Sequence, residues 1–399
     1  MLILLSLALL LTLLSLHLGG IALVWWRMRP CQSRTVVGGA IASPTQGQRV
    51  TGITLLRPVC GLENNLHETL RSGLTLHGLP HEVIFCVARV EDPVVPLVRA
   101  LIAAHPQVSA RLLIGDDRIS ANPKLNNLAK GWQAARYDHI AMVDSNLLLP
   151  PDFLLQLSGA IEPGIGLVTS PPAGIRPQDF WGALECGFLN SYQARWQLAA
   201  DQLGLGFAQG KVLFWPRALL EGAGGLAAMG RDMAEDVAAT KITRAAGQRV
   251  KLVPRPFAQP LGPRQPGTVW QRQLRWAKVR RMGFPGLFAL EPLTGALAPL
   301  AISFGLCAAG VMPLAAALGL WTLWYGAEAV LAWQAGWPAG PRDLAAWHLR
   351  DALIPALWLG ALVSRSFEWH GTVMHAADVP GLAARPARGR AAAPGLTDA

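Results

Sequence analysis

Four groups of residues in this chain have the types and spacing to act on a phosphorylated substrate. Asp92 lies in ARVEDP, just past an apolar run that ends near Ala88. A carboxylate at a strand's C-terminal edge can accept hydrogen bonds from a nucleobase or ribose, although an Asp before a Pro is also a plain turn former. Asp144 ends the apolar run of HIAMVDSN. There it could hold a hard divalent cation that bridges diphosphate oxygens and neutralises a leaving group. The blander role is a loop Asp capping the helix after Pro151. Asn146 falls on the same side of an extended chain, where the commoner Asp-x-Asp pair would offer a second carboxylate. Glu235 and Asp236 open the amphipathic stretch AEDVAATK. A helix dipole stabilises acids at that position, yet such a carboxylate could also take the proton of an attacking hydroxyl. Arg272, Arg275 and Trp276 fall within WQRQLRWAKVRR, with Arg272 and Trp276 on one helix face. Arginine forks match phosphate oxygens, and an indole offers a flat surface for a sugar or acyl chain. Trp270, Trp276, Arg280 and Arg281 would equally suit an interfacial helix at lipid headgroups.

These residues need a scaffold, and the middle of the chain supplies one. From Thr51 onward, short apolar runs alternate with helical patterns. Strands are predicted at 52–56, 82–88, 110–115, 139–143, 166–170, 211–215 and 249–253, and helices at 62–74, 94–104, 124–135 and 178–200. That alternation predicts a mostly parallel, doubly wound sheet with its ligand crevice at the C-terminal strand ends. The acids at 92 and 144 both follow predicted strands, so the crevice would receive them.

On either side of this domain the texture turns apolar. Leu2 to Trp26 is long enough to cross a bilayer. A cleaved signal peptide is the rival, but the apolar core is too long for one and no basic segment precedes it. Arg27, Arg29 and Arg34 follow at once, which by the positive-inside rule places the downstream domain in the cytosol. Further membrane candidates run over 294–310, 312–333 and 351–363, with Pro299 and Pro313 blurring their bounds. The expected organisation is therefore an anchor (1–26), a linker (27–50), a cytosolic domain (51–282), a membrane region (283–370) and a disordered tail (371–399) carrying Arg385, Arg388 and Arg390.

Composition agrees with a membrane enzyme and excludes other classes. Of 399 residues, 52% are hydrophobic and 15% charged, too oily for a wholly soluble protein. The formal charge of +10 suits anionic lipid or a phosphorylated substrate. Basic residues are scattered through the domain without a DNA- or RNA-binding signature, which argues against nucleic acid. The five cysteines form no CxxC or Cys/His cluster, so a zinc site is not expected, and Cys86 inside VIFCV reads as core.

Taken together, Asp, Asp, Asp and then (Q/R)xxRW, behind an N-terminal anchor and ahead of C-terminal membrane helices, resemble the ceramide glucosyltransferase family. The likeness runs over roughly residues 2–370 and includes RPVCGLENNLHETL, NPKLNNLAKG, MVDSN and AEDVAATKITRAAGQR. It implies an α/β fold of the GT-A (nucleotide-diphospho-sugar transferase) type, inverting, with one N-terminal and about three C-terminal membrane helices. Carried over by position, Asp92 would bind the uracil or ribose side of a UDP-sugar, and Asp144 would hold a divalent metal, Mg or Mn, and the diphosphate. Asp236 would be the general base. Arg272, Arg275 and Trp276 would close over the diphosphate and help place the acceptor. Lys124 falls where such enzymes often use a basic residue near the nucleotide, although a solvated residue at a helix start is equally consistent. The implied reaction moves a hexose, glucose in the first instance, onto the hydroxyl of a membrane lipid such as ceramide. Relatives with these motifs also resemble diacylglycerol and hopanoid-associated transferases, so the acceptor stays open. The Ala- and Arg-rich composition points to a bacterial source and hence the inner membrane. A processive polysaccharide synthase shares the motifs but usually needs more membrane helices than the candidates here, and a degenerate scaffold would not be expected to keep the whole acid and Arg-Trp set.

Overall fold

The computed structural model describes residues 1–29, 50–363, 366–369 and 372–375. Residues 30–49 of the expected linker, with Cys31 and Arg34, and residues 376–399 of the expected tail lie outside the described residues. Helix α1 (Leu2–Met28) is followed by a run of alternating elements: β1 (Ile53–Val59), α2 (Leu66–Ser72), β2 (His81–Val87), α3 (Val95–Ala103), β3 (Ala110–Ile114), α4 (Pro123–Ala134) and β4 (His139–Val143). Next come α5 (Phe153–Gly159), β5 (Ile165–Thr169), β6 (Pro172–Pro177) and α6 (Phe180–Gly187), which passes through a π-helix at Phe188–Ala194 into α7 (Arg195–Gln202). Then follow β7 (Val212–Pro216), α8 (Arg217–Gly222), α9 (Glu235–Ala245), β8 (Arg249–Leu252), β9 (Phe257–Gly262) and α10 (Pro266–Gly283). The C-terminal part holds α11 (Pro285–Leu290), α12 (Leu297–Ala308), α13 (Leu314–Ala335), α14 (Pro341–Val363) and the small hairpin β10 (Ser366–Trp369) and β11 (Thr372–His375).

Seven strands form the main sheet in the order β3-β2-β1-β4-β7-β5-β8. Alternate strand residues feed two cores, as the two-residue period requires. Leu55, Phe85, Val143, Val168 and Phe214 pack on one face, and Leu56, Ile84, Met142, Leu213 and Trp215 on the other. Helix α4 lies so close to the second face that a Cβ on Gly131 would come within 2.6 Å of Cys86 Sγ. Cys86 is fully buried, as its apolar run predicts.

The sheet is mixed, because β7 runs antiparallel to both β4 and β5. After β5 the chain leaves the main sheet through β6 and comes back by way of α6, the π-helix and α7. It re-enters at the carboxyl edge, where Thr169 donates through Oγ1 to the carbonyls of Gln209 (3.2 Å) and Val212 (2.7 Å). A strand entering there has to run backwards. Every predicted strand and helix is present in some form, but β6 and β9, which pair in parallel as a separate two-stranded sheet, were not predicted. Their prolines, Pro172, Pro177 and Pro260, are residues that disqualify a central strand and are tolerated at edges.

Among the described residues two helices are long and apolar enough to cross a membrane, α1 and α13, and there are three such spans if α11 and the turn after it form one bent span with α12, 41° apart. The expectation of about three C-terminal crossings is therefore reduced to one or two. The stretch 351–363 is the second half of α14, which begins at Pro341 and brings Arg342, Asp343, Arg350 and Asp351 with it. Arg350 is buried and donates from Nε to Asp351 (2.8 Å) and from its two Nη atoms to Glu328 of α13 (3.0 and 3.2 Å), and it also reaches Ser191 of the π-helix.

Candidate active site

Asp144 directly follows β4 and sits where the carboxyl end of that strand meets the start of β7, with its backbone N–H donating to the Lys211 carbonyl at 3.0 Å. Arg57 of β1 reaches behind it and donates to the carbonyls of Asp144 (3.0 Å), Ser145 (3.0 Å) and Leu147 (3.3 Å), fixing the turn. Helix α5 begins elsewhere, with Asp152 at its N-cap position. The Asp144 carboxylate faces two ammonium groups, Lys124 Nζ at 2.6 Å and Lys211 Nζ at 3.1 Å. Burial alone would raise its pKa, but the two cations win and hold it at about 2. Asn146 turns the same way, its Oδ1 accepting from Lys211 at 2.9 Å while its Nδ2 donates to Glu63 at 3.2 Å.

Lys124 is the hub of the cluster. Asn122 caps α4 through its side chain and starts the helix at Pro123, which fixes the Lys124 backbone. Its Nζ also donates to the Gly210 carbonyl (2.7 Å) and to Glu235 (2.7 Å). Burial opposes the charge, but Asp144 and Glu235 together raise its pKa. Lys211 ends with the opposite sign: burial comes first and pulls its pKa down despite Asp144.

Glu235 and Asp236 begin α9 as the sequence predicts, and they diverge in chemistry. Glu235 is tied to Lys124 and accepts from Asn122 Nδ2 at 3.1 Å. Asp236 accepts only backbone N–H groups, from Gly210 (3.0 Å) and Val237 (2.8 Å). Burial, and then the charge of Glu235, push its pKa up to about 7. Gly210 makes the approach possible, since a Cβ there would lie 2.7 Å from Glu235 Oε1. Asp92 is close to its turn-forming role: its carboxylate accepts from Val94 N and Gly61 N, each at 3.0 Å, joining the β2 and β1 ends.

Helix α10 brings the arginines. Arg272 pairs with the fully buried Glu185, whose other oxygen lies 2.8 Å from Arg264 Nε. Arg275 is half-buried; burial and Arg272 lower its pKa to about 10, against the pull of Glu235 and Asp144, so it stays charged at neutral pH. Trp276 packs against Cys186, Leu189 and Leu261. Of the residues expected at headgroups, Arg280 is paired with Glu291 and Arg281 donates to the carbonyls of Ala361 and Leu362 at the end of α14.

The family model of glycosyl transferase family 21 matches residues 12–380. The chain belongs to that family. Ceramide glucosyltransferase 3 of Caenorhabditis elegans is 26% identical over 337 residues, 82% of this chain and 73% of that protein. Ceramide glucosyltransferase 1 of the same animal is 29% identical over 258 residues, 64% of this chain, and the aligned part spans only 55% of that relative's length. A shorter match to the ceramide glucosyltransferase of Komagataella phaffii is 40% identical over 103 residues, covering 25% of this chain and 20% of that protein. Among solved structures, a mannosyltransferase from Pyrobaculum calidifontis in complex with GDP-Man and Mn2+ superposes with a TM-score of 0.50 at 20% identity, covering 90% of this chain and 98% of that one. The mixed sheet is thus of the GT-A kind.

In this family 21 glycosyltransferase the structure gathers Lys124, Asp144 and Asp236 where the carboxyl end of β4 meets the start of β7, with the α10 arginines nearby. Sequence reading did not single out Lys211, Arg57, Asn122 or Glu185. Lys211 was legible only as the first residue of a strand, and its neighbourhood depends on β7 running antiparallel. Asn122 carried a signal, a capping residue before Pro123 and Lys124.

Proposed function

We propose that this glycosyltransferase moves a hexose, glucose in the first instance, from a UDP-sugar to the hydroxyl of a membrane lipid with inversion, giving a β-glycolipid. Ceramide is the acceptor named for its relatives, with diacylglycerol and hopanoid as alternatives. The observation that carries the reading is Asp236, a carboxylate with a pKa near neutrality, set beside a cluster of Lys and Arg at the sheet's carboxyl edge. Asp236 takes the acceptor hydroxyl's proton as that oxygen attacks the anomeric carbon. The bond from that carbon to the β-phosphate oxygen breaks, and UDP departs towards Lys124, Arg272 and Arg275. Asp92 faces the nucleoside side and Trp276 braces α10 so that its arginines point at the diphosphate. The domain lies on the cytosolic side, held by α1 and the C-terminal spans.

A divalent cation at Asp144 fits the surroundings poorly. Mg2+ needs oxygens at about 2.0–2.1 Å in an octahedron, whereas each Asp144 oxygen already faces an ammonium. Asn146 replaces the second acid, and its side chain is itself taken up by Lys211 and Glu63. No step above runs through a metal.

The test is purified full-length protein with a panel of labelled UDP-sugars and vesicles containing ceramide, diacylglycerol or hopanoid, with products read by mass spectrometry. UDP-glucose with ceramide should give a hexosylceramide. Absence of any glycolipid across the whole panel would overturn the proposal.

A further inference from the structure

Lys211 directly precedes β7, the antiparallel strand whose start brings its side chain to the turn after β4. Its ammonium lies 3.1 Å from Asp144 Oδ2 and 2.9 Å from Asn146 Oδ1, between the two side chains of the Asp-x-Asn motif. A cation shared by those two positions would sit there. The side chain is only 11% exposed, and Asn146 is oriented for it by donating to Glu63. Lys124 and Lys211 both contact Asp144, Lys124 also pairs with Glu235, and Arg275 of α10 lies within electrostatic reach of both carboxylates, so the place where a diphosphate would lie is lined by fixed cations.

Resting on the UDP-sugar reading above, we infer that the Lys211 ammonium takes the place of the divalent cation, so that this chain holds the donor diphosphate without a metal. An ammonium can donate to a phosphate oxygen while keeping its bond to Asp144, since it carries three N–H groups. The fixed charge then does the work of neutralising the leaving diphosphate, with Asp144 acting as the positioning residue for Lys211.

The experiment is calorimetric titration of the full-length protein in nanodiscs with UDP and GDP, in chelator and with added Mn2+ or Mg2+. Bound Mn2+ is followed by electron paramagnetic resonance. Wild type should bind UDP equally well, within a few-fold, in chelator and in Mn2+, and should immobilise no Mn2+. Lys211→Gln should lose about tenfold or more in UDP affinity in chelator, the scale of one charge-assisted hydrogen bond, while its affinity for uridine is unchanged. Lys211→Asp, which sets a second acid beside Asp144, should acquire Mn2+ binding that depends on UDP. Wild-type UDP affinity that collapses in chelator and returns with Mn2+ overturns the inference and leaves the donor reading standing. That arm decides the matter even if neither variant folds. Failure of both nucleotides to bind with or without metal would remove the donor reading and this inference together.

Discussion

In its proposed role Asp236 meets two opposing demands. As a base it needs to be ionised, and as a half-buried carboxylate next to Glu235 it resists ionisation, with a pKa of about 7. Substitution by Asn should leave UDP affinity within a few-fold and lower kcat by about 10² or more, the scale of a lost general base. Collapse of UDP binding instead would make Asp236 a donor ligand or a structural cap. In the wild type, kcat/KM should rise with pH through about 7 and then level, because the free enzyme's base must lose its proton. Stability should run the other way. A folded-state pKa above the unfolded value favours the protonated native form, and that advantage is lost as pH rises towards the folded pKa. The melting temperature of Asp236→Asn relative to wild type should therefore increase between about pH 4 and 8. A difference independent of pH would contradict the raised pKa.

At the scale of elements, α10 has to present its arginines to the crevice while joining the domain to the membrane segments. Arg275→Lys keeps the charge and loses the planar fork that grips two oxygens. In matched liposomes it should weaken UDP binding by about tenfold with membrane partitioning unchanged; equal UDP affinity would return α10 to an interfacial role. Periodicity made most of this scaffold legible. The parallel strands β1 to β4 read directly from their apolar runs, as did the helices between them, and the acids after β2 and β4 followed. Two features lay beyond it. Proline masked β6 and β9, whose pairing is set by contacts distant in sequence. The direction of β7 is decided by where the α6–α7 excursion returns the chain, so Lys211 could not be placed beside Asp144 before the topology was known. The candidate stretch 351–363 left out Arg350, which the longer helix α14 carries inward.

Across the whole molecule, that inward turn couples the C-terminal helices α13 and α14 to the π-helix beside the sheet. Arg350 links α14 to α13 through Glu328 and to the π-helix through Ser191, all in one buried network with Asp351, which also accepts from Tyr325 at 3.1 Å. Removing one member leaves charge unpaired, so Arg350→Met should cost roughly 3–5 kcal/mol by detergent-phase unfolding. Pairing it with Glu328→Leu should recover much of that loss, and additive losses would count against a coupled pair. At the other end, Arg27 at the foot of α1 donates to Asp201 (2.6 Å) and to the Leu252 and Val253 carbonyls (2.6 and 2.8 Å), so the anchor grips the carboxyl edge of β8. The candidate site and the candidate membrane helices are thereby held in one frame, as the proposed transfer to a lipid requires. The most direct measurement is the anomeric configuration of the product, read by proton NMR after incubating the full-length protein with UDP-α-glucose and ceramide vesicles. A single displacement by Asp236 predicts a β-glucosyl linkage that disappears in Asp236→Asn. An α-linked product, or a β-linked one formed at full rate by that variant, would contradict the account.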